Sequence, residues 1–220
     1  MTKARIPETD DGITGEFDTQ MYDTMMRHMR DKGWIETSLI LKEGVSSGLA
    51  LEIGPGPGYL GLEWLKRTEG TRLDGLEISD DMIQLARKNA NEYGLSHRVK
   101  YHKGDAQTMP FDDGVFDGAF SNGSLHEWAH PEHVFDEIAR VVKPGGRYVI
   151  SDLRRDMSPA VRWFLWLSLK PKDMRHGLAT SINASYTLPE IGAILAATKL
   201  RSWQARKNPL GIVISGRIPV

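Results

Sequence analysis

The chain contains no cysteine in 220 residues. Disulfides, thiolate metal sites and cysteine nucleophiles are therefore excluded, and a reducing cytoplasm is the simplest home for such a composition. There is no long apolar run: the longest, Trp163 to Leu169, is far too short to span a bilayer. The first residues, MTKARIPETDDG, carry basic groups with no apolar stretch behind them and do not read as a secretory signal. Neither sign of charge dominates, since 28 Lys and Arg meet 29 Asp and Glu for a net charge of −1. A global basic field for a polyanion is thus missing, which sets nucleic-acid and anionic-membrane binding at a disadvantage, and no nucleic-acid partner is expected. Repeats, low-complexity tracts and linkers are absent as well. What remains is 40% hydrophobic and 26% charged, the make-up of a soluble globular protein long enough to bury a core without staples.

Residues 1–16 are polar, rich in turn formers and expected to be partly mobile. Phe17, Met21, Met25 and Met29 recur four apart, and Ile35 and Leu39 continue on a second helix after Gly33. From Gly48 onward short apolar strands alternate with helical stretches. Strands are expected at 49–53, 72–78, 99–102, 115–121 and 147–152, with helices at 59–67, 80–93 and 131–142 between them. Ser79 reads as an N-cap with Asp80 and Asp81 at the positive end of the dipole, and Gly94 as a stop. Lys143-Pro144-Gly145-Gly146 reads as a type II turn. Repeated β–α–β units imply a mostly parallel sheet covered on both faces. Near the end, Thr187 to Glu190 form a capping box, and strands at 200–206 and 210–218 lie too close in sequence for anything but an antiparallel hairpin. The expected class is α/β: a Rossmann-like, doubly wound, seven-stranded sheet, parallel for five strands and finished by the hairpin.

The most informative segment is Leu51-Glu52-Ile53-Gly54-Pro55-Gly56-Pro57-Gly58-Tyr59-Leu60-Gly61. It follows a strand and opens a helix, where glycines let a ligand approach the backbone and helix amides favour negative charge. Gly56 to Gly61 matches the dinucleotide fingerprint literally. Glu77 ends the next strand, where a carboxylate can accept hydrogen bonds from both ribose hydroxyls. Gly104-Asp105-Ala106 and Ser121-Asn122-Gly123 follow the third and fourth strands, at the strand ends where open α/β sheets bind ligands.

With these residues in place the sequence resembles the class I S-adenosylmethionine-dependent methyltransferases, in particular the small-molecule, type 11-like form. The markers are LEIGPGPGYLG, LDGLEIS, KGDAQTMPFDDGVFDGAFSNGSLHEW and VVKPGGRYVISDL, and the likeness runs from about Phe17 to Ile218. It implies S-adenosylmethionine as the cofactor. Glu52, Gly54, Pro55, Gly56 and Gly58 would hold its methionine end, and Glu77 its ribose. Ile78 would pack on the adenine, Asp105 would accept from the adenine amino group with Ala106 beside it, and Ser121 and Asn122 would lie near the sulfonium. The resemblance also implies one domain over 1–220, with N-terminal helices at 17–45, a cofactor-binding half at 48–152 and a cap insertion at 154–186.

The acceptor side is less legible. Catalytic candidates gather at His126, Glu127, Trp128 and His130, with His126 about where acceptor and cofactor should meet and of the residue type suited to act as a base near neutral pH. His126, Glu127, His130 and His133 are also residue types that ligate metals, but crowding in sequence fixes no geometry, and no metal is expected. Tyr22, Trp128, Trp163 and Trp166 are expected to enclose a small, partly apolar or aromatic acceptor. Trp163 to Leu169 reads as a buried or lid helix, with a surface for a greasy substrate, a subunit or a membrane interface as its other reading. Rival functions are a dinucleotide-dependent oxidoreductase, a macromolecular (RNA or protein) methyltransferase, and a binding module that keeps the cofactor site without turnover. The acceptor's identity and the oligomeric state are not written in the sequence.

Overall fold

The computed structural model describes residues 4–8 and 15–220. The expected mobility of residues 1–16 falls in part on 1–3 and 9–14, outside the described residues, as does the side chain of Phe17. The chain runs α1 (Glu16–Asp31), α2 (Thr37–Lys42), β1 (Leu49–Ile53), α3 (Tyr59–Lys66), β2 (Arg72–Glu77), α4 (Asp80–Glu92), β3 (Val99–Lys103), β4 (Phe116–Asn122), α5 (Pro131–Val141), β5 (Val142–Leu153), α6 (Pro159–Ser168), α7 (Arg175–Ala184), α8 (Leu188–Ala197), β6 (Gln204–Lys207) and β7 (Gly211–Arg217). The strands form one sheet in the order β3-β2-β1-β4-β5-β7-β6. Pairing is parallel from β3 to β5, and β7 lies antiparallel to both β5 and β6. The expected class is therefore what the chain adopts.

Side-chain alternation along each strand divides the core in two. Leu51 and Ile53, Tyr148 and Ile150, and Ile212 and Ile214 face a layer built from α5 and α8. Their neighbours Ala50, Val149 and Val213 face the layer of α2, α3 and α4, centred on Trp64. Trp64 is fully buried and its indole N–H donates to the Val45 carbonyl at 2.7 Å, so its one polar atom is satisfied.

Local signals mostly act as expected. The Ser79 hydroxyl accepts from the Met82 amide, and the capping box at Thr187 and Glu190 is formed. Three segments differ. Lys143–Gly146 does turn, with Gly145 at φ +79, but the turn is a bulge inside β5: Phe116 pairs with Val142 and Gly118 with Arg147. β6 starts at Gln204 rather than at 200. No residue of α6 is buried, against the expected buried helix, and Trp163 is 65% exposed.

Among the described residues no helix is long and apolar enough to cross a membrane.

Candidate active site

The sheet order reverses at β1: the chain proceeds outward through β2 and β3 on one side and returns through β4 and β5 on the other. A cavity opens at the carboxyl ends of these strands, the place where such a reversal leaves room for a ligand. Gly54 and Gly56 line it from the loop after β1, Glu77 and Ile78 from the end of β2, and Asp105 and Ala106 from the segment after β3. Ser124, Glu127 and Trp128 close it from the segment after β4, and Tyr22 of α1 closes the remaining side.

The glycine loop needs its glycines. Gly54 stands at φ +65, and a Cβ there would lie 2.2 Å from the Ser124 hydroxyl. Gly58, at φ +83, caps α3, where a Cβ would meet the Tyr101 hydroxyl at 2.6 Å. Glu77 shapes the loop from below. Its Oε2 accepts from the Gly56 amide, and its Oε1 accepts from the amides of Ile78 and Ser79, each at 3.0 Å. Burial pushes the Glu77 carboxyl above its usual range, and the three amides only partly offset this. Asp105 is held by the Gln107 amide at 2.8 Å, and Ile78 stands 42% exposed at the cavity lip.

α1 is fixed over this loop by a polar network. Asp23 Oδ1 accepts from the Tyr59 hydroxyl at 2.7 Å and from Asn89 at 3.2 Å, while Arg27 donates to Asp23 Oδ2 at 2.8 Å. Burial alone would raise the Asp23 carboxyl, but these donors outweigh it and hold it below its usual value. Asn89 also donates to the Pro57 carbonyl, tying α4 to the loop. The result seats Tyr22 beside Gly56, where a Cβ would lie 3.5 Å from its ring. Burial, then the charges of Glu127, Glu77 and Asp152, keep the Tyr22 phenol protonated well above its ordinary value.

His126 sits in the short 3-10 turn Leu125–Glu127 and is 5% exposed. Its Nδ1 faces the Asp152 carboxylate at 2.9 Å, and its Nε2 lies 3.3 Å from Glu8. Burial disfavours the charged ring, but Asp152 and then Glu8 outweigh that and raise the imidazole well above its usual value. Both ring nitrogens are thus occupied, and the next side chain, Glu127, is the one on the cavity wall. Partial burial lifts the Glu127 carboxyl to about 7; the His126 charge draws it down, while Asp152, Glu77 and Glu8 push it up. Ligand atoms of Glu8, His126 and Glu127 lie within 4.8 Å of one another, sharing the one positive charge of the ring.

The structure thus brings together Gly54, Gly56, Glu77, Ile78, Asp105, Ala106, Tyr22 and Trp128. Other expected site residues stand behind or away from the cavity. Alternation along β1 turns Glu52 toward α3, where the Gly61 amide hydrogen-bonds its carboxyl and burial holds it well above its usual value. Pro55 is buried and accepts from the Gly58 amide at 2.9 Å. Ser121 donates to the Ile53 carbonyl at 2.7 Å, stitching β4 to β1, and Asn122 donates to Ser151 and Glu36. Trp163 and Trp166 lie on exposed α6 and do not line the cavity. Ser124 and Gln107 line it without any sequence signal, because both sit in irregular segments.

Residues 51–150 match a methyltransferase domain family. The chain is 27% identical to a demethylmenaquinone methyltransferase of Desulfitobacterium hafniense (strain Y51), over 98% of this chain and 90% of that protein. It is 34% identical to a sterol 4-C-methyltransferase of Caenorhabditis elegans over 54% of this chain, spanning only 34% of that longer protein. Its fold matches that of a SAM-dependent methyltransferase from Aquifex aeolicus with a TM-score of 0.69 at 20% identity, covering 91% of this chain and 97% of the other.

Proposed function

We propose that this chain, which belongs to the class I S-adenosylmethionine-dependent methyltransferases, transfers the methyl group of that donor in line to a small, partly apolar or aromatic acceptor. The observation that carries the reading is the two-sided cavity. One side offers glycine backbone, the Glu77 and Asp105 carboxylates and the apolar Ile78; the other offers the rings of Tyr22 and Trp128 beside the Glu127 carboxyl.

The residues fit the donor. Gly54 and Gly56 leave open backbone for its amino-acid end, with Pro55, Gly58, Glu52, Ser121 and Asn122 fixing the loop and strand ends from behind. Glu77 receives the ribose hydroxyls, Asp105 the adenine amino group, and Ile78 and Ala106 the adenine faces. When bound, the donor supplies a methyl group on a positively charged sulfur, whose departure needs no proton. The protein's work is to align the acceptor and exclude water, which Tyr22 and Trp128 do from the acceptor side.

An acceptor that arrives protonated needs a base. Glu127 is placed to take that proton, and His126 acts through it as a positioning residue whose charge sets the carboxyl near neutrality. Relatives named for demethylmenaquinone and for a sterol support a small, greasy acceptor. Trp163 and Trp166 are left out of its walls.

Two measurements test this. Incubation with S-adenosylmethionine and separate panels of apolar small molecules, RNA and protein should release S-adenosylhomocysteine with the small molecules. Release with RNA or protein alone would overturn the acceptor class. Gly54→Val should lower S-adenosylhomocysteine affinity roughly tenfold or more, since the side chain must displace Ser124 and occupy a strained φ. Calorimetry showing parental affinity would remove this loop from the cofactor site.

A further inference from the structure

We propose that α6 docks this protein onto the surface of an anionic lipid bilayer. In the sequence PAVRWFLWLS the only charged residue is Arg162, and no residue of the helix is buried. Trp163 is 65% exposed, Phe164 54%, and Trp166 and Leu167 44% each. At roughly 100° per residue these four fall within an arc of about 160°, a single apolar face. An unpaired face this large in water marks an interaction surface.

Charge selects the partner. Between Met157 and Tyr186 lie Arg162, Lys170, Lys172 and Arg175 against Asp173 alone. The remainder of the chain has 24 Lys and Arg against 28 Asp and Glu, a net of −4. The near-neutral total thus conceals a basic island around the apolar helix. Arg175 stacks over the Trp166 ring at 3.8 Å, while Lys170, Lys172 and His176 are exposed. Aromatic rings flanked by Lys and Arg suit the headgroup boundary of an anionic membrane, where rings enter the acyl edge and cations meet lipid phosphate. A second copy is a poorer occupant, because a two-fold contact brings the same basic island against itself.

The location makes sense of the surface. α7, in the same segment, packs against the Leu125–Glu127 turn that walls the cavity. Docking through α6 therefore anchors to the lipid the same segment that carries α7 against the cavity wall, which rests on, and extends, the reading of an apolar acceptor.

The test is co-sedimentation of the full chain with vesicles of phosphatidylcholine alone and vesicles enriched in phosphatidylglycerol. Binding is expected to the second and to weaken as salt rises. Phe164→Ser with Leu167→Ser should reduce partitioning roughly tenfold or more, and Lys170→Glu with Lys172→Glu should abolish the preference for anionic vesicles. Circular dichroism identical to the parent establishes that these surface variants fold. The proposal is overturned if the parent binds neither vesicle, or if the variants bind as the parent does. It is equally overturned if light scattering shows a dimer that the Phe164 and Leu167 changes dissociate. S-adenosylhomocysteine affinity measured without vesicles reports on the cavity separately, so failure at the membrane and failure of the methyl-transfer site are distinguishable.

Discussion

Alanine at position 77 is expected to weaken S-adenosylhomocysteine binding on the order of a hundredfold. Hydrogen bonds to a charged group contribute about 1.5–3 kcal/mol each, and the proposed ribose contact would bring two donors to this carboxylate. The damage extends into the free protein, because Glu77 also receives the amides of Gly56, Ile78 and Ser79. Removing it strips three amides of their partner and loosens the loop that the cofactor must meet. Glutamine should rescue little, since its NH2 group would face an amide donor. Titration calorimetry decides the matter: parental affinity in Glu77→Ala would place the ribose elsewhere.

Glu127→Gln is expected to lower kcat about a hundredfold or more toward an acceptor that arrives protonated, with cofactor affinity kept. A base works ionised, and Glu127 ionises at about 7. The parent's rate should therefore rise as pH increases through about 7 and level off above it, and the variant should lose that limb. His126 gives an independent check. Its positive charge draws the Glu127 value down, so His126→Gln should move the limb to higher pH, which a merely structural role would not do. An unchanged rate and profile in Glu127→Gln would mean that the acceptor's proton leaves by another route.

The strands, their order of appearance and the hairpin finish were legible because each rests on local chemistry: apolar runs, caps, and a gap too short for a crossover. The gathering of Gly54, Gly56, Glu77 and Asp105 at one cavity was legible for a similar reason, since glycines and carboxylates at strand ends announce themselves. Glu52 shows the limit. Sequence puts it at the edge of the loop, but the two-residue period of β1 turns it away from the cavity and under Gly61. His126 shows another. Its neighbours in space, Asp152 and Glu8, are far from it in the chain, and only tertiary packing reveals that both ring nitrogens are occupied. Trp163 and Trp166 were assigned to the acceptor from aromatic character and from lying in a segment expected to border the donor, and neither distinguishes a ring facing a cavity from one facing solvent.

The strand order also constrains how the molecule is made. β6 precedes β7 in the chain, yet in the sheet β7 lies between β5 and β6. As the chain emerges from the ribosome, β6 has no template: it cannot join the sheet until residues 211–217 have been synthesised and have entered beside β5. Until then the β5 edge is bare, with Tyr148 to Asp152 presenting unpaired backbone to any passing strand. Translation that halts between β6 and β7 thus yields a complete cofactor half with a sticky edge, a natural substrate for chaperones and for aggregation.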